Sequence, residues 1–362
     1  MIPMVDLKAQ YETLKDKIEP AMLEALANTQ FILGPNVQAF EKEAAQHLNA
    51  KHAITCASGT DALHLALVAA GIGAGDEVIT TAFTFIATAE AICYVGATPV
   101  FVDILPDSFN IDPTAIASAI TNKTKAILPV HLFGQPANMT KIMQIAKDND
   151  LLVIEDCAQS FAADINKQNT GTFGQSGCHS FFPSKNLGCY GDGGMVTTED
   201  DDIANKLIAL RNHGSYTRYH HDVIGFNSRL DELQAVILRE KLRHLTQYNN
   251  ERRRVAHRYS KNLQDAVTPP AEDGIGTHVY HQYTLLSDKR DAIHARLTEN
   301  KIASAIYYPI PLHKQNVFKN DFTDISLPVT DDVTAKCLSL PIHPELSNDN
   351  IDKICDVIKS VV

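Results

Sequence analysis

The stretch SFFPSKNLGCYGDGG (180–194) places one lysine, Lys185, between a short apolar run and a glycine cluster. A solvated surface lysine needs no such setting. A lysine that attacks a carbonyl does, because desolvation or nearby charge must first lower its pKa. Pro183 before it, and Gly188, Gly191, Gly193 and Gly194 after it, read as an irregular turn between strands. Such a turn presents a side chain into a cleft and lets a ligand approach the backbone. Asp156, in VIEDCAQS, precedes Lys185 by 29 positions and closes an apolar run. In open α/β sheets ligands bind beyond the carboxyl ends of the strands, and a carboxylate buried there is costly unless paired. Two roles stay open for Asp156: acceptor for a positively charged ligand nitrogen, or helix cap or structural salt bridge. Asp103, in VFVDI, has the same kind of position. Ser58, Gly59 and Thr60 lie between an apparent strand and helix in CASGTDALHLAL. The free N–H groups of a helix start, its dipole and a hydroxyl suit an anion such as phosphate. An ordinary Ser/Thr cap is the commoner use of such residues. There is no Walker P-loop and no G-x-G-x-x-G fingerprint.

These residues need a scaffold, and from about residue 50 the pattern supplies one. Short apolar runs alternate with helical stretches: HAITCA then TDALHLALVAAG, DEVITT then IATAEAICYVG, TPVFVDI then PTAIASAI, TKAILPVHL then MTKIMQIAKDND, and finally LLVIED. The runs are continuously apolar, as in parallel strands buried on both faces. The expected fold class is α/β, with a mostly parallel central sheet. GGMVTT reads as a further strand, DDDIANKLIALRNHG as a helix, and SRLDELQ through SKNL as one long helix. Beyond about residue 250 the pattern changes. HVYHQYTLL and SAIYYPI read as strands around the helix RDAIHARLTENK, and SNDNIDKICDVIKSVV as a helix capped by Ser347. The expected organisation is a large domain at 1–245 and a smaller α+β domain at 246–362.

Composition narrows the function classes. With 32 Lys and Arg against 43 Asp and Glu, the net charge of −11 argues against non-specific nucleic-acid binding. No apolar stretch reaches the length of a membrane span. The start, MIPMVDLKAQYETLKDKIEP, lacks the apolar middle of a signal peptide, and the expected location is cytoplasmic. None of the seven cysteines forms a C-x-x-C pair, so they read as reduced thiols.

A lysine for a covalent bond to an aldehyde, a strand-end carboxylate for a pyridinium nitrogen and a helix start for a phosphate are together the three anchors of pyridoxal 5′-phosphate. SGTDAL, VIEDCAQS, SFFPSKNLGCYGDGG and GFNSRLDELQA, in that order, resemble the DegT/StrS-type sugar-nucleotide aminotransferases of the aspartate aminotransferase superfamily, fold type I. The resemblance runs from MVDLKAQY and FILGPNVQAFE to YYPIPLHKQ and LSLPIHPEL. It implies that Lys185 bonds covalently to the cofactor, that Asp156 pairs with its ring nitrogen, and that Gln159 lies against the ring or its phenolic oxygen. Gly59, Thr60 and Ser180 would contact the phosphate, and Phe85 would stack on the ring. Asn227 would reach the phosphate of the other subunit, making the site complete only in a homodimer. Lysine rather than histidine at 185 favours transamination over the dehydration performed by related proteins.

The stretch RNHGSYTRYHHDVIGFNSRLD resembles the subgroup that aminates C3 of a UDP-linked 2-acetamido-3-keto-hexuronic acid, with L-glutamate as the expected donor. The product class suggests lipopolysaccharide or another surface glycan. Arg218, Arg229, Tyr308 and His313 are the implied substrate residues, with His220 and His221 as further polar partners. For Arg229 a role in fixing the interface is equally open, and RYHH could be a solvated loop. Tyr307 stands where that subgroup carries histidine. A dTDP-linked 3-keto-6-deoxyhexose and a UDP-4-keto sugar are competing acceptors, and a regulatory or binding protein that keeps the fold without turnover is the competing class. No metal is expected, since a His–His pair without third and fourth ligands is no metal site.

Overall fold

A computed structural model describes residues 1–217 and 219–362. Arg218, expected at the substrate, lies outside the described residues. The chain opens with two helices, α1 (Leu7–Asn28) and α2 (Pro35–Leu48). The α/β unit follows: β1 (His52–Cys56), α3 (Gly59–Ala69), β2 (Glu77–Thr81), α4 (Ala87–Tyr94), β3 (Thr98–Val102), α5 (Pro113–Ala119), β4 (Thr124–Ile127), α6 (Met139–Asp148) and β5 (Leu152–Asp156). A small ribbon, β6 (Asp164–Ile165) and β7 (Gln168–Asn169), precedes β8 (Ser176–Ser180) and β9 (Gly194–Thr198). The sheet order is β1-β9-β8-β5-β4-β2-β3. Strands β8, β5, β4, β2 and β3 run parallel, and β9 runs antiparallel to both its neighbours. The expected class, α/β with a mostly parallel sheet, is the observed one, and the whole architecture is that of fold type I.

The strands carry Val, Ile, Leu and Cys because helices cover both faces. On one face α3, α4 and α7 (Asp201–Leu210) bury Leu63, Ala66, Leu67, Ile92 and Leu207 against Ile54, Val78 and Ile154. On the other, α5 and α6 bury Ile116 and Ile142 against Ile79, Ile127 and Val153. Beyond α7 come α8 (Glu232–Leu242), α9 (Leu245–Leu263), β10 (Tyr283–Leu286), α10 (Arg290–Glu299), α11 (Pro328–Lys336), β11 (Cys337–Leu340) and α12 (Asn348–Lys359). The β10–β11 pair forms its own two-stranded sheet. It shares a core with α9, α10 and α12 through Tyr259, Leu285, Leu297, Leu338 and Ile354.

Three elements differ from expectation. The single long helix expected across 228–263 is two, broken at Arg243–His244. Leu238 and Leu242 of α8 pack with Phe181 and Leu187, whereas Val255, Ala256 and Tyr259 of α9 pack with Tyr283 and Leu340. The two stripes face different cores, so the axis must turn. The strand expected over HVYHQYTLL is confined to Tyr283–Leu286. The carbonyls of Tyr280 and His281 are taken instead by Arg252 Nη1 at 3.2 and 3.3 Å. SAIYYPI forms no strand: Ala305 makes one isolated bridge to Ser339, and Tyr308 turns toward the large sheet.

Candidate functional site

The chemistry-bearing residues converge at the carboxyl edge of the sheet, where β5 ends at Asp156. The Asp156 backbone is held on both sides: its N–H donates to Pro129 O at 2.9 Å, and its carbonyl accepts from His131 N at 3.1 Å. Its carboxylate is fixed as well. Thr88 Oγ1 donates to Oδ2 at 2.8 Å, and the Ala158 N–H donates to Oδ1 at 3.1 Å. Burial raises the Asp156 pKa, opposed by these two bonds and by the Lys185 charge. Two donors leave a buried carboxylate with further acceptor capacity. The neighbouring Glu155 is a contrast. It accepts from Gly171, Phe173 and Gly174 N–H groups at 2.8–2.9 Å and lies 3.0 Å from His131 Nε2. The compact His131, Glu155 and Cys157 group therefore spends its donor atoms on scaffolding. Asp103 is scaffolding too: it accepts from Val329 N, Thr330 N and Thr330 Oγ1 at 2.8–3.0 Å.

Lys185 is carried by the loop 181–193 between β8 and β9, whose ends are joined by the Ser180–Gly194 pair. The turn is tight. Lys185 N–H donates to Phe182 O at 2.9 Å, and a Cβ on Gly188 would meet Pro183 O at 2.5 Å, so only glycine fits there. Three side chains clamp it. Asn186 Nδ2 donates to Asn249 Oδ1 and Val279 O at 2.8 and 2.9 Å. Gln234 Oε1 accepts the Tyr190 N–H at 2.9 Å, and Lys241 Nζ donates to Gly188 O at 2.7 Å. Desolvation pushes the Lys185 amine down to about 8, against the opposing pull of Asp156. That is the condition for a nucleophilic lysine near neutral pH.

Helix α3 begins at Gly59 behind Ser58, whose Oγ accepts the Asp61 N–H at 3.1 Å. The N–H groups of Gly59 and Thr60 fall in the first turn, where no intrahelical acceptor exists. Gly59 sits directly on Ser180: a Cβ there would come within 2.5 Å of the Ser180 Cβ. Two first-turn N–H groups and a serine hydroxyl thus form one cradle. Gln159 Oε1 accepts the Phe133 N–H at 2.8 Å, and its Nε2 donates to the Tyr308 hydroxyl at 3.1 Å. The Tyr308 ring lies 6.4 Å from Phe85 and 6.1 Å from Phe83. Phe85 itself is 55% exposed, an aromatic face open above the site.

Gly59, Thr60, Phe85, Asp156, Gln159, Ser180, Lys185 and Tyr308 therefore form one neighbourhood. Asn227 does not join it: it is exposed and bridges Asn212. Arg229 Nη1 donates to Asn212 Oδ1 at 3.2 Å. His220 and His221 are exposed, and His221 Nδ1 lies 2.8 Å from His213 O. His313 is buried, and neither ring nitrogen has a partner among the described residues. Thr88 and His281 were not anticipated. Thr88 lies in the first turn of α4 and is buried, whereas Phe85 precedes the helix and is exposed. His281 is buried, with its pKa held well below the usual value by desolvation and then by the Lys185 and Arg252 charges. Only the tertiary fold brings it there.

The arrangement fits pyridoxal 5′-phosphate: an amine of lowered basicity, a buried carboxylate with spare acceptor capacity and an anion cradle surround one cleft. When bound, this cofactor supplies an aldehyde for amine exchange and a ring that accepts an electron pair.

Comparison with known proteins agrees. The model of the DegT/DnrJ/EryC1/StrS aminotransferase family matches residues 12–359. A UDP-N-acetyl-3-dehydro-alpha-D-glucosamine 3-aminotransferase from Acidithiobacillus ferrooxidans is 52% identical over 99% of this chain and 97% of its own. A UDP-2-acetamido-2-deoxy-3-oxo-D-glucuronate aminotransferase from Pseudomonas aeruginosa is 44% identical over 98% of this chain and 99% of its own. Among solved structures, S. venezuelae DesV in complex with a ketimine intermediate superposes with a TM-score of 0.97 at 38% identity, covering 99% of this chain and 98% of DesV. NtdA from Bacillus subtilis, solved with bound PMP, gives a TM-score of 0.90 at 33% identity, over 96% of this chain and 81% of NtdA. The chain belongs to the DegT/DnrJ/EryC1/StrS aminotransferase family and is a pyridoxal-phosphate-dependent sugar aminotransferase.

Proposed function

We propose that this enzyme moves the amino group of L-glutamate to C3 of a UDP-linked 2-acetamido-2-deoxy-3-keto-hexuronic acid. The observation that carries the amino transfer is the desolvated Lys185 amine in the electrostatic field of Asp156. Lys185 Nζ is the covalent attachment point and the general base that takes the α-proton of the donor. Asp156, held by Thr88, keeps a proton on the ring nitrogen. Gly59, Thr60 and Ser180 bind the phosphate. Gln159 sets the ring face, and Phe85 covers it. Tyr308 and His313 line the sugar side, and Arg218 and Arg229 supply positive charge for a carboxylate or diphosphate.

The acceptor reading rests on two relatives that act on UDP-linked 2-acetamido 3-keto sugars. One takes a glucuronate and the other a neutral glucosamine, and the latter is the more similar at 52% identity. That similarity favours a second reading in which C6 of the acceptor is uncharged. Steady-state kinetics with the UDP-3-keto glucuronate and the UDP-3-keto glucosamine separate the two. A higher kcat/KM for the uronate, lost in Arg229→Ala and Arg218→Ala, supports the first. A higher value for the neutral sugar, indifferent to both replacements, rejects it.

The enzyme acts as a homodimer in this reading. Just before Asn227 the chain exposes apolar surface: Ile224 is 90% exposed, and its neighbour Val223 is exposed too. Exposed apolar side chains next to Asn227 support a partner-facing role for this segment. An amino sugar on a nucleotide carrier suits lipopolysaccharide or other surface-glycan assembly, with the enzyme in the cytoplasm. Among the described residues no helix is long and apolar enough to cross a membrane.

A further inference from the structure

Ser228 separates Asn227 from Arg229 and is only 3% exposed. Its hydroxyl makes two bonds, both to the segment that opens α3. It accepts the Ala57 N–H at 3.1 Å and donates to Asp61 Oδ2 at 2.7 Å. Its backbone N–H donates to Arg211 O at 3.0 Å, which anchors it to the end of α7. One hydroxyl thus spans the turn 57–61 from end to end and brackets Gly59 and Thr60.

Helix capping does not require this. Ser58 already caps α3 through the Asp61 N–H. Asp61 brings a difficulty, however. A carboxylate in the first turn favours the helix dipole, but it also puts negative charge beside the N–H groups that an incoming anion needs. The Ser228 hydroxyl holds that carboxylate in a fixed place.

We propose that Ser228 is a positioning residue for cofactor binding. Its hydroxyl keeps the Asp61 carboxylate and the Ala57 N–H in the arrangement that leaves the first turn of α3 open to a phosphate. The inference rests on the reading that Gly59 and Thr60 hold the phosphate. Without the hydroxyl, the Asp61 carboxylate is released next to the anion site and the Ala57 N–H loses its acceptor.

The test compares pyridoxal 5′-phosphate with pyridoxal, which lacks the phosphate, binding to cofactor-stripped protein. In Ser228→Ala, affinity for pyridoxal 5′-phosphate falls about tenfold, the size of one or two lost hydrogen bonds, whereas pyridoxal affinity holds. Ser228→Thr, which keeps the hydroxyl, binds both as wild type does. Asp61→Asn in the Ser228→Ala background restores phosphate affinity, because the released group no longer carries charge. Equal losses for both ligands, or no loss for either, overturn the role of Ser228. A wild-type protein that does not prefer the phosphorylated ligand overturns the phosphate reading itself, and this inference with it. Should Ser228→Ala fold poorly, Asp61→Asn alone decides: it must bind pyridoxal 5′-phosphate at least as tightly as wild type, and weaker binding rejects the proposal.

Discussion

The Thr88 hydroxyl lies 2.8 Å from Asp156 Oδ2 and joins helix α4 to the end of strand β5. It continues to Thr84 Oγ1 at 3.1 Å, so a short buried chain of hydroxyls sets the orientation of the Asp156 carboxylate. Thr88→Val keeps the shape of the side chain and removes that donor. We expect kcat to fall about ten- to hundredfold, the range for a hydrogen bond to a charged group. Asp156→Asn should lose far more, since it removes the charge itself. Stopped-flow kinetics of the glutamate half-reaction measure both, and a Thr88→Val rate equal to wild type would contradict the assignment.

Lys185 makes opposite demands on activity and stability. Removing its amine in Lys185→Met should reduce turnover by about 10²- to 10⁴-fold, the usual contribution of a general base. The same replacement should stabilise the cofactor-free protein at neutral pH. The folded-state pKa of about 8 lies below the ordinary 10.5, so folding at pH 7 buries a charge at a cost. That cost is complete below pH 8 and shrinks as pH rises through 8 to 10.5, where the unfolded chain binds the extra proton. Thermal melts of stripped wild type and Lys185→Met across pH 7 to 10.5 should converge with rising pH. Parallel curves would refute the argument.

Lys241 is 1% exposed, lies 4.2 Å from the centroid of the Tyr190 ring and donates to Gly188 O at 2.7 Å. Lys241→Met removes a charge whose burial pushes the amine down to about 8, a gain that offsets the loss of the donor to Gly188 O. Lys241→Met should therefore keep its melting temperature and lose turnover, because the Lys185 turn loses a clamp. A drop in kcat with KM for the sugar unchanged is the expected signature. Unchanged kcat would show that Asn186 and Gln234 suffice.

The proposed sharing of the site between protomers is open to a mixing experiment. Lys185→Ala and Asn227→Ala proteins should each be inactive alone. If Asn227 serves the opposite protomer, random re-pairing of equal amounts rebuilds about a quarter of the sites, because each mixed dimer holds one intact site. Recovery of activity after mixing checks this. No recovery, with exchange of protomers verified by mass, would place Asn227 in its own subunit's site or in none.

Much of this architecture is legible in the sequence where burial is uniform. LLVIED is legible as a buried parallel strand because Leu152, Val153 and Ile154 are apolar, with the two carboxylates of Glu155 and Asp156 only at its carboxyl end. The cap of α12 at Ser347 is local chemistry, and its Oγ accepts the Asn350 N–H at 3.3 Å. SAIYYPI misleads because aromatic and β-branched residues suit a strand, whereas tertiary contacts draw Tyr308 toward Gln159. The arginine that displaces the ladder at Tyr280 comes from α9, far away in sequence. Lys185, Asp156 and the α3 cradle stand out because each has a local signature. Thr88, His281 and Ser228 have none, since their significance lies in which side chains they meet.

The Ser180–Gly194 pair fixes both ends of the loop that carries Lys185 within adjacent strands of one sheet. In its proposed role, an amine freed at Lys185 stays tethered within reach, with an effective concentration that is millimolar or higher on the order-of-magnitude scale for short linkers. Re-attachment is then intramolecular, and a freely diffusing amine must compete with a neighbour that never leaves. On that reading, the antiparallel strand β9 turns the reversible bond proposed for Lys185 into one that the protein reliably re-forms after each turnover.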